Sequence, residues 1–319
     1  MPSIFVQNGR RISPVTAPIH SIASTPIGEG PTGSAPKRFG PARLGIYAFL
    51  VISALFFLLP LYVMVVTSVK PMAEIRAGGL FALPMDMTFE PWMTAWSSAC
   101  TGLDCRGISP GFWNSVQILI PSVFLSIFVG ALTGYALSFW RVRGANLLFA
   151  VLLMGAFLPY QVFIYPLVRI YSATGMFSTI YALVLTHVIF GLPVMTLLFR
   201  NYYAGIPIDL FKAARVDGGR FFSIFFRLML PMSVPMLVVA VILQVTGIWN
   251  DFIMGLTFGG LANRPMTVQL TNLVAPTEGE IAYNVNMAAT IMTAAVPLVV
   301  YFVSGRWFVR GIAAGAVKG

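Results

Sequence analysis

Charge is what this sequence has least of. Only 9% of its 319 residues are Asp, Glu, Lys or Arg, against 58% apolar residues, whereas a water-soluble domain carries about 25% charge. That shortage excludes a chain whose surface is mostly wetted and points to one solvated by lipid. Histidine is scarce too, with His20 and His187 alone, and so is cysteine, with Cys100 and Cys105 alone. Two neighbouring thiols do not close a tetrahedral shell, so no metal site and no cofactor is expected. There is no G-x-x-x-x-G-K-[ST] phosphate loop and no H-E-x-x-H motif, and no nucleophile elbow is expected. The chain is therefore not read as an enzyme, and any ATP chemistry must lie on a separate subunit. Residues 1–43 are poor in large apolar groups and hold seven prolines, five glycines and five serines. Such a segment cannot bury a core and is expected to be a flexible tail. With no apolar run before Leu44, it is not read as a cleaved signal peptide.

What the chain has instead is long apolar runs. A span needs about 20 such residues, and six segments qualify: 44–68, 113–140, 147–171, 180–200, 231–258 and 284–307. The third is interrupted by Pro159, Gln161, Pro166 and Arg169. The expected architecture is an all-α membrane protein of six transmembrane helices. An even count puts both ends on one side, and charge says which. With the N-terminus inside, the inner segments hold fifteen of the 20 basic residues, and the outer ones hold Lys70, Arg76, Arg106, Arg169 and Arg264. The positive-inside rule then places both termini in the cytoplasm. Topology accounts for the net charge of +10, so no nucleic-acid partner is invoked. The organisation expected is a tail over 1–43, a first span and outer loop over 44–110, a transmembrane domain over 111–305 and a cytoplasmic tail over 306–319.

The outer loop holds both cysteines, five positions apart. In an oxidising compartment they are disulfide candidates, with two free thiols as the alternative. Trp92 and Trp96 stand one helical turn apart, as in a short interfacial helix.

The most informative segment is polar and lies between spans, over 206–230. Pro207 opens a short helix through Val216, with Lys212 and Arg215 beside the small Ala213 and Ala214. Gly218 and Gly219 break it, and Asp217 is expected to cap the following helix. That helix carries Phe221, Phe222, Phe225, Phe226 and Met229 as one apolar stripe. Lys212-Ala213-Ala214-Arg215-Val216-Asp217-Gly218-Gly219, followed by Leu230-Pro231, resembles the E-A-A-x-x-D-G-A…L-P loop of permeases of ATP-driven (ABC) importers. Ala213, Ala214, Asp217 and Gly218 match that pattern; Lys212 replaces its glutamate and Gly219 its last alanine. The chain is thereby identified as a member of the carbohydrate-uptake, maltose-type branch, with type-1 importer architecture. The run from Cys100 to Trp113 is most similar to glucose/mannose permeases. The resemblance implies that Lys212, Ala213, Ala214, Asp217, Gly218 and Gly219 couple the chain to a dimer of ABC ATPase subunits. It also implies a second permease subunit and an extracytoplasmic sugar-binding protein, in the inner membrane.

Asp251 is the only carboxylate expected inside a span, where an ionisable group is a functional candidate. With Gln244, Trp249 and Asn250 it could meet sugar hydroxyls, or the same groups could bind neighbouring helices. His187 reads as a packed helix residue. An ion-coupled secondary transporter or channel stays open as the alternative, since such carriers also use buried ionisable groups.

Overall fold

The computed structural model describes residues 40–102, 104–140, 143–275 and 281–316, with the backbone alone from 306. The tail to residue 39, Arg141, Glu278 and Glu280 lie outside the described residues. The chain divides into two compact units, 1–55 and 56–319. In the first, residues 41–55 are helical and largely exposed, being the start of α1 (Pro41–Ser68).

The second unit begins with the remainder of α1. A ledge follows, with α2 (Met72–Ala77) and α3 (Glu90–Ser97). Then come α4 (Ser109–Phe139), α5 (Ala145–Phe157), a 3-10 turn at Tyr160–Phe163, α6 (Ile164–Ala173) and α7 (Ile180–Ala204). Next are α8 (Ile208–Val216), α9 (Phe221–Ile224), a π-helical turn at Phe225–Met229 and α10 (Leu230–Met232). The chain ends with α11 (Val234–Trp249), α12 (Ile253–Phe258), α13 (Met266–Val274) and α14 (Tyr283–Ala316). Among the described residues there is no strand. The string Gly107-Ile108-Ser109-Pro110-Gly111 has G-x-S-x-G spacing, but it leads into α4 with no strand before it, and the Ser109 hydroxyl donates to the Arg106 carbonyl.

The central pair is α4 against α7. Lipid tails are as apolar as leucine, so this pairing depends on close packing rather than on escape from water. Small residues recur every fourth position of α4: Ser122, Ser126, Gly130, Gly134 and Ser138. A Cβ on Gly130 would come within 2.4 Å of the Met195 Cβ, and one on Gly134 within 2.8 Å of the Arg200 backbone nitrogen. Ser126 returns its hydroxyl to the Ser122 carbonyl and Ser138 to that of Gly134, so neither is left unpaired in lipid.

Four helices are long and apolar enough to cross a membrane, and two bent pairs bring the number to six. The bends correct two expectations. The third span is not one rod: 145–157 and 160–173 meet at 98°. Pro159 has no N–H to extend the ladder and holds the preceding Leu158 in an extended conformation. The fifth span does not run to 258. It ends at Trp249, and Asn250 to Phe252 separate it from α12. A second bend of 78° precedes it, where the π turn and Pro231 deliver the chain to Ser233. The Ser233 hydroxyl reaches the Met229 carbonyl at 2.6 Å and Tyr203 Oη at 3.0 Å, and Tyr202 Oη donates to the Met232 carbonyl at 2.5 Å. The last helix continues past 307 through Ala316.

Candidate functional site: an exposed helix on an aromatic base, and a polar break

The Ile208–Val216 helix has one buried side chain beneath it. Phe211 is buried, stacked on Phe139 with ring centroids 5.0 Å apart and edge-on to Trp140 at 5.8 Å. Tyr135, fully buried, packs on Phe221 at 5.0 Å and Phe225 at 5.5 Å, and its hydroxyl donates to the Phe221 carbonyl at 3.2 Å. The Arg215 guanidinium lies over Trp140, 4.8 Å from the ring centroid. Such a contact contributes about 0.5–1 kcal/mol at an exposed site.

What projects away from this base is Asp209, Lys212, Ala213, Val216, Asp217 and Gly218, all exposed. The alanine pair therefore divides. Ala213 faces outward, while Ala214 packs on the aromatic core, because successive helical residues are rotated by about 100°. Lys212 Nζ lies 3.0 Å from Asp209 Oδ1, an exposed pair worth little by itself. Val216, 85% exposed, is an apolar tip that the sequence reading passed over. The aromatic stripe also divides: Phe225 and Met229 are buried, and Phe222 and Phe226 are exposed.

The helix stops by a specific device. Gly218 has φ +82°, its N–H donates to the Arg215 carbonyl at 3.1 Å, and the Gly219 N–H reaches back to the Ala214 carbonyl at 2.9 Å. This pair of bonds is the Schellman closure, with glycine at its left-handed position. A Cβ on Gly219 would stand 2.5 Å from the Ala214 oxygen, so the closure itself disfavours the alanine of the family pattern there. The expectation that Asp217 caps the next helix is corrected. Asp217 ends α8, at φ −69° and ψ 9°, and Arg220 is the N-cap residue of α9. The chain reverses at Gly218, and α9 starts with no side-chain cap bond.

The second place is the break after Trp249. Asp251 accepts from the Gly255 N–H at 3.0 Å and from the Met254 N–H at 3.4 Å, and the Thr267 hydroxyl donates to its carbonyl at 2.6 Å. Its short side chain thus offers the backbone an alternative to continuing the helix, which is why the span ends here rather than enclosing Asp251. The four pathway candidates separate. Asn250 and Asp251 line a cavity of about 520 Å³. Trp249 is 1% exposed, edge-on to Phe112, with its indole N–H on the Thr293 carbonyl at 2.9 Å. Gln244 is buried where Gly191 leaves room, since a Cβ there would come 2.5 Å from its amide nitrogen. Two residues unforeseen for this site join the cavity: Tyr160, and His187, whose Nε2 lies 4.0 Å from Asp251 Oδ2. Sequence held a signal only for the first, in the proline before it.

In the ledge, Cys100 and Cys105 are joined, with Cα atoms 3.7 Å apart. Among the described residues no cluster of three or more His, Cys, Asp or Glu side chains could hold a metal. Beside the cysteines, the Asp104 carboxylate meets Arg106 at 2.6 Å, which holds its pKa below the ordinary value.

Comparison with known proteins gives these parts a common context. The chain is 32% identical over 281 residues to an osmoprotective-compound uptake permease, GgtD, of Synechocystis, covering 86% of this chain and 92% of that one. It is 35% identical over 224 residues to the α-glucoside transport permease AglG of Rhizobium meliloti, covering 68% and 58%. A bacterial ABC transporter that imports the acidic polysaccharide alginate contains a chain of the same fold, with TM-score 0.73, 20% identity and coverage of 85% and 99%. Residues 122–314, more than half of the chain, match one family model, so this protein belongs to the binding-protein-dependent transport system inner membrane components.

Proposed function

We propose that this chain is the permease subunit of a sugar importer, and that α8 is where a dimer of ABC ATPase subunits docks. The chain is a transport component and not an enzyme. One observation supports the docking reading most: a nine-residue helix keeps Asp209, Lys212, Ala213 and Val216 exposed while Phe211 anchors it in an aromatic core. A push on its outer face is carried by packed rings into α4 and, through the Tyr202, Tyr203 and Ser233 hydroxyls, into the joint between α7 and α11. Close-packed interiors transmit strain rather than absorb it.

The remaining partners follow from the same reading. They are a second permease subunit, an extracytoplasmic sugar-binding protein and lipid, with both termini in the cytoplasm and the substrate passing Asn250 and Asp251. The α-glucoside permease supports a sugar as cargo. Within that class, a monosaccharide of the glucose/mannose type is the narrower proposal, resting on the Cys100–Trp113 run.

Gly218→Asp tests the docking. Nothing lies within 4 Å of a Cβ at Gly218, but φ +82° costs an L residue about 1–2 kcal/mol. The variant should insert and assemble normally while sugar uptake per ATP hydrolysed falls at least tenfold. Normal uptake would remove α8 from the coupling path. Uptake that survives loss of the ATPase but not a proton uncoupler would favour the ion-coupled reading instead.

A further inference from the structure

We propose that the cavity between His187, Tyr160, Asn250 and Asp251 is a hydroxyl-recognising subsite on the substrate route, one that takes neutral polyhydroxylated solutes. This rests on the sugar-import reading above.

Two broken spans meet here. Tyr160 follows the 98° break at Pro159, and Asn250 and Asp251 form the break that ends α11. Both contribute to one cavity of about 520 Å³, within the range of about 300–1,000 Å³ usual for small-molecule sites. Irregular backbone at membrane depth is tolerated only inside protein or beside a water-filled cavity. In transporters, interrupted helices of this kind are where substrate sites form. Two breaks lining the same hollow are therefore stronger than either alone.

The side chains are suited to hydroxyls. His187 is 8% exposed, and among the described residues its ring makes no hydrogen bond. Its Nε2 stands 4.0 Å from Asp251 Oδ2, too far for a direct bond, yet one oxygen placed between them can reach both. Asp251 has acceptor capacity beyond its two backbone contacts. Asn250, exposed beside it, adds an amide that both donates and accepts. The Tyr160 ring forms part of the wall, held edge-on by Phe190 at 6.1 Å. A phosphorylated or acidic cargo would face the Asp251 carboxylate, with no lysine or arginine lining the cavity. An uncharged polyol meets no such opposition.

The test uses the complete transporter with its binding protein in proteoliposomes, probed with labelled glucose and labelled maltose. His187→Gln and Asp251→Asn should each cut sugar moved per ATP about tenfold, a loss of about 1.4 kcal/mol, while ATPase stimulation by the binding protein stays within about twofold. Asparagine has a single acceptor oxygen, so it keeps the shorter Gly255 contact of Asp251 and gives up the longer Met254 one; His187→Gln leaves both contacts whole and is the variant that tests the subsite without touching α12. An independent arm uses Asn250→Cys. Because both native cysteines of this chain are paired with each other, a charged methanethiosulfonate reagent should label this subunit at that position alone, read on the separated subunit, and transported sugar should slow the reaction several-fold. Unchanged sugar-to-ATP ratios in both substitutions overturn the proposal, as does an Asn250→Cys site that resists the reagent or reacts equally with and without sugar. Should the unsubstituted transporter hydrolyse ATP yet move neither sugar, the sugar reading itself fails and this inference with it.

Discussion

The two ends of α4 sit about 45 Å apart along its axis and are held by different forces. At the Trp140 end, Tyr135, Phe139, Phe211, Phe221 and Phe225 fill the space with rings. At the Ser109 end, Ala95, Ala99 and Ile108 pack with Trp249 in a core of their own, but the first part of the ledge, residues 69–89, is fastened at points. Lys70, 3% exposed, donates to the Ala82 carbonyl at 2.5 Å and the Gly79 carbonyl at 3.3 Å, and the Lys70 carbonyl accepts from the Asn284 amide at 2.9 Å. Glu74 accepts from the Met85 N–H, and a disulfide closes the turn before α4. Dispersion over many ring contacts resists deformation from every direction. A few polar bonds fix a loop with little core of its own and leave the segments between them free to yield. Under the proposed docking, a block suits the end that would carry force from α8, and a pinned ledge suits the end where a soluble partner would dock and leave.

The largest expected effect breaks the block. Phe211→Ala removes the ring that joins α8 to Phe139 and Trp140, and truncation of a buried phenylalanine costs about 3–5 kcal/mol. Thermal unfolding of the detergent-solubilised complex should show a clear drop in Tm, and ATPase stimulation by the binding protein should be lost. If stability falls but stimulation survives, the rings support the fold without transmitting force.

Lys70→Met tests the ledge. It removes the ammonium that the Gly79 and Ala82 carbonyls share, and a hydrogen bond to a charged group contributes about 1.5–3 kcal/mol. The expected result is faster proteolysis within residues 71–89 and weaker stimulation by the binding protein, with α8 coupling intact when the ATPase is driven at saturating binding protein. A coupling defect as deep as that of Phe211→Ala would erase the contrast between the two ends.

Much of this contrast was legible in the residues, and its limits have physical causes. Run length revealed the apolar helices, because hydropathy records what lipid demands of a helix. The Ala-Ala and Asp-Gly spacing revealed the 206–230 turn, since only glycine sits easily at the φ of Gly218. Hydropathy does not record direction, so the breaks at Pro159 and Asn250 passed as interruptions of continuous spans. The Asp217 cap was misplaced by three positions, because the Schellman closure inserts Gly218 and Gly219 before the N-cap at Arg220. His187 looked like a packed helix residue because its partner, Asp251, lies 64 positions away in the chain and only folding brings them together. Lys70 drew notice as an outer charge, and nothing local announced that two carbonyls of a glycine-containing loop would surround it.

The disulfide is a smaller fastening than Lys70. A loop of five or six residues loses little freedom on closure, so chain entropy assigns the bond about 2 kcal/mol. Mild reduction, or Cys100→Ser with Cys105→Ser, should lower Tm slightly and leave glucose and maltose uptake within twofold. Loss of uptake would make this turn part of the docking surface rather than a fastening.

The smallest effect belongs to the ion pair beside it. Asp104 and Arg106 are solvent-exposed, at 40% and 72% for the side chains, although their atoms approach to 2.6 Å. The guanidinium hydrogen bond lowers the Asp104 pKa below its ordinary 3.8. A carboxylate depressed in the folded state contributes stability above its unfolded pKa and loses it as pH falls through the lower folded value. Any contribution is therefore complete at neutral pH and disappears only in strong acid. Because exposed pairs are screened and contribute little, Arg106→Ala should leave Tm at pH 7 unchanged while raising the Asp104 titration midpoint, read by NMR, toward 3.8. A measurable fall in Tm at neutral pH would show that the ledge depends on its surface charges as well as on Lys70, and the fastening would then be spread along it rather than concentrated at one buried lysine.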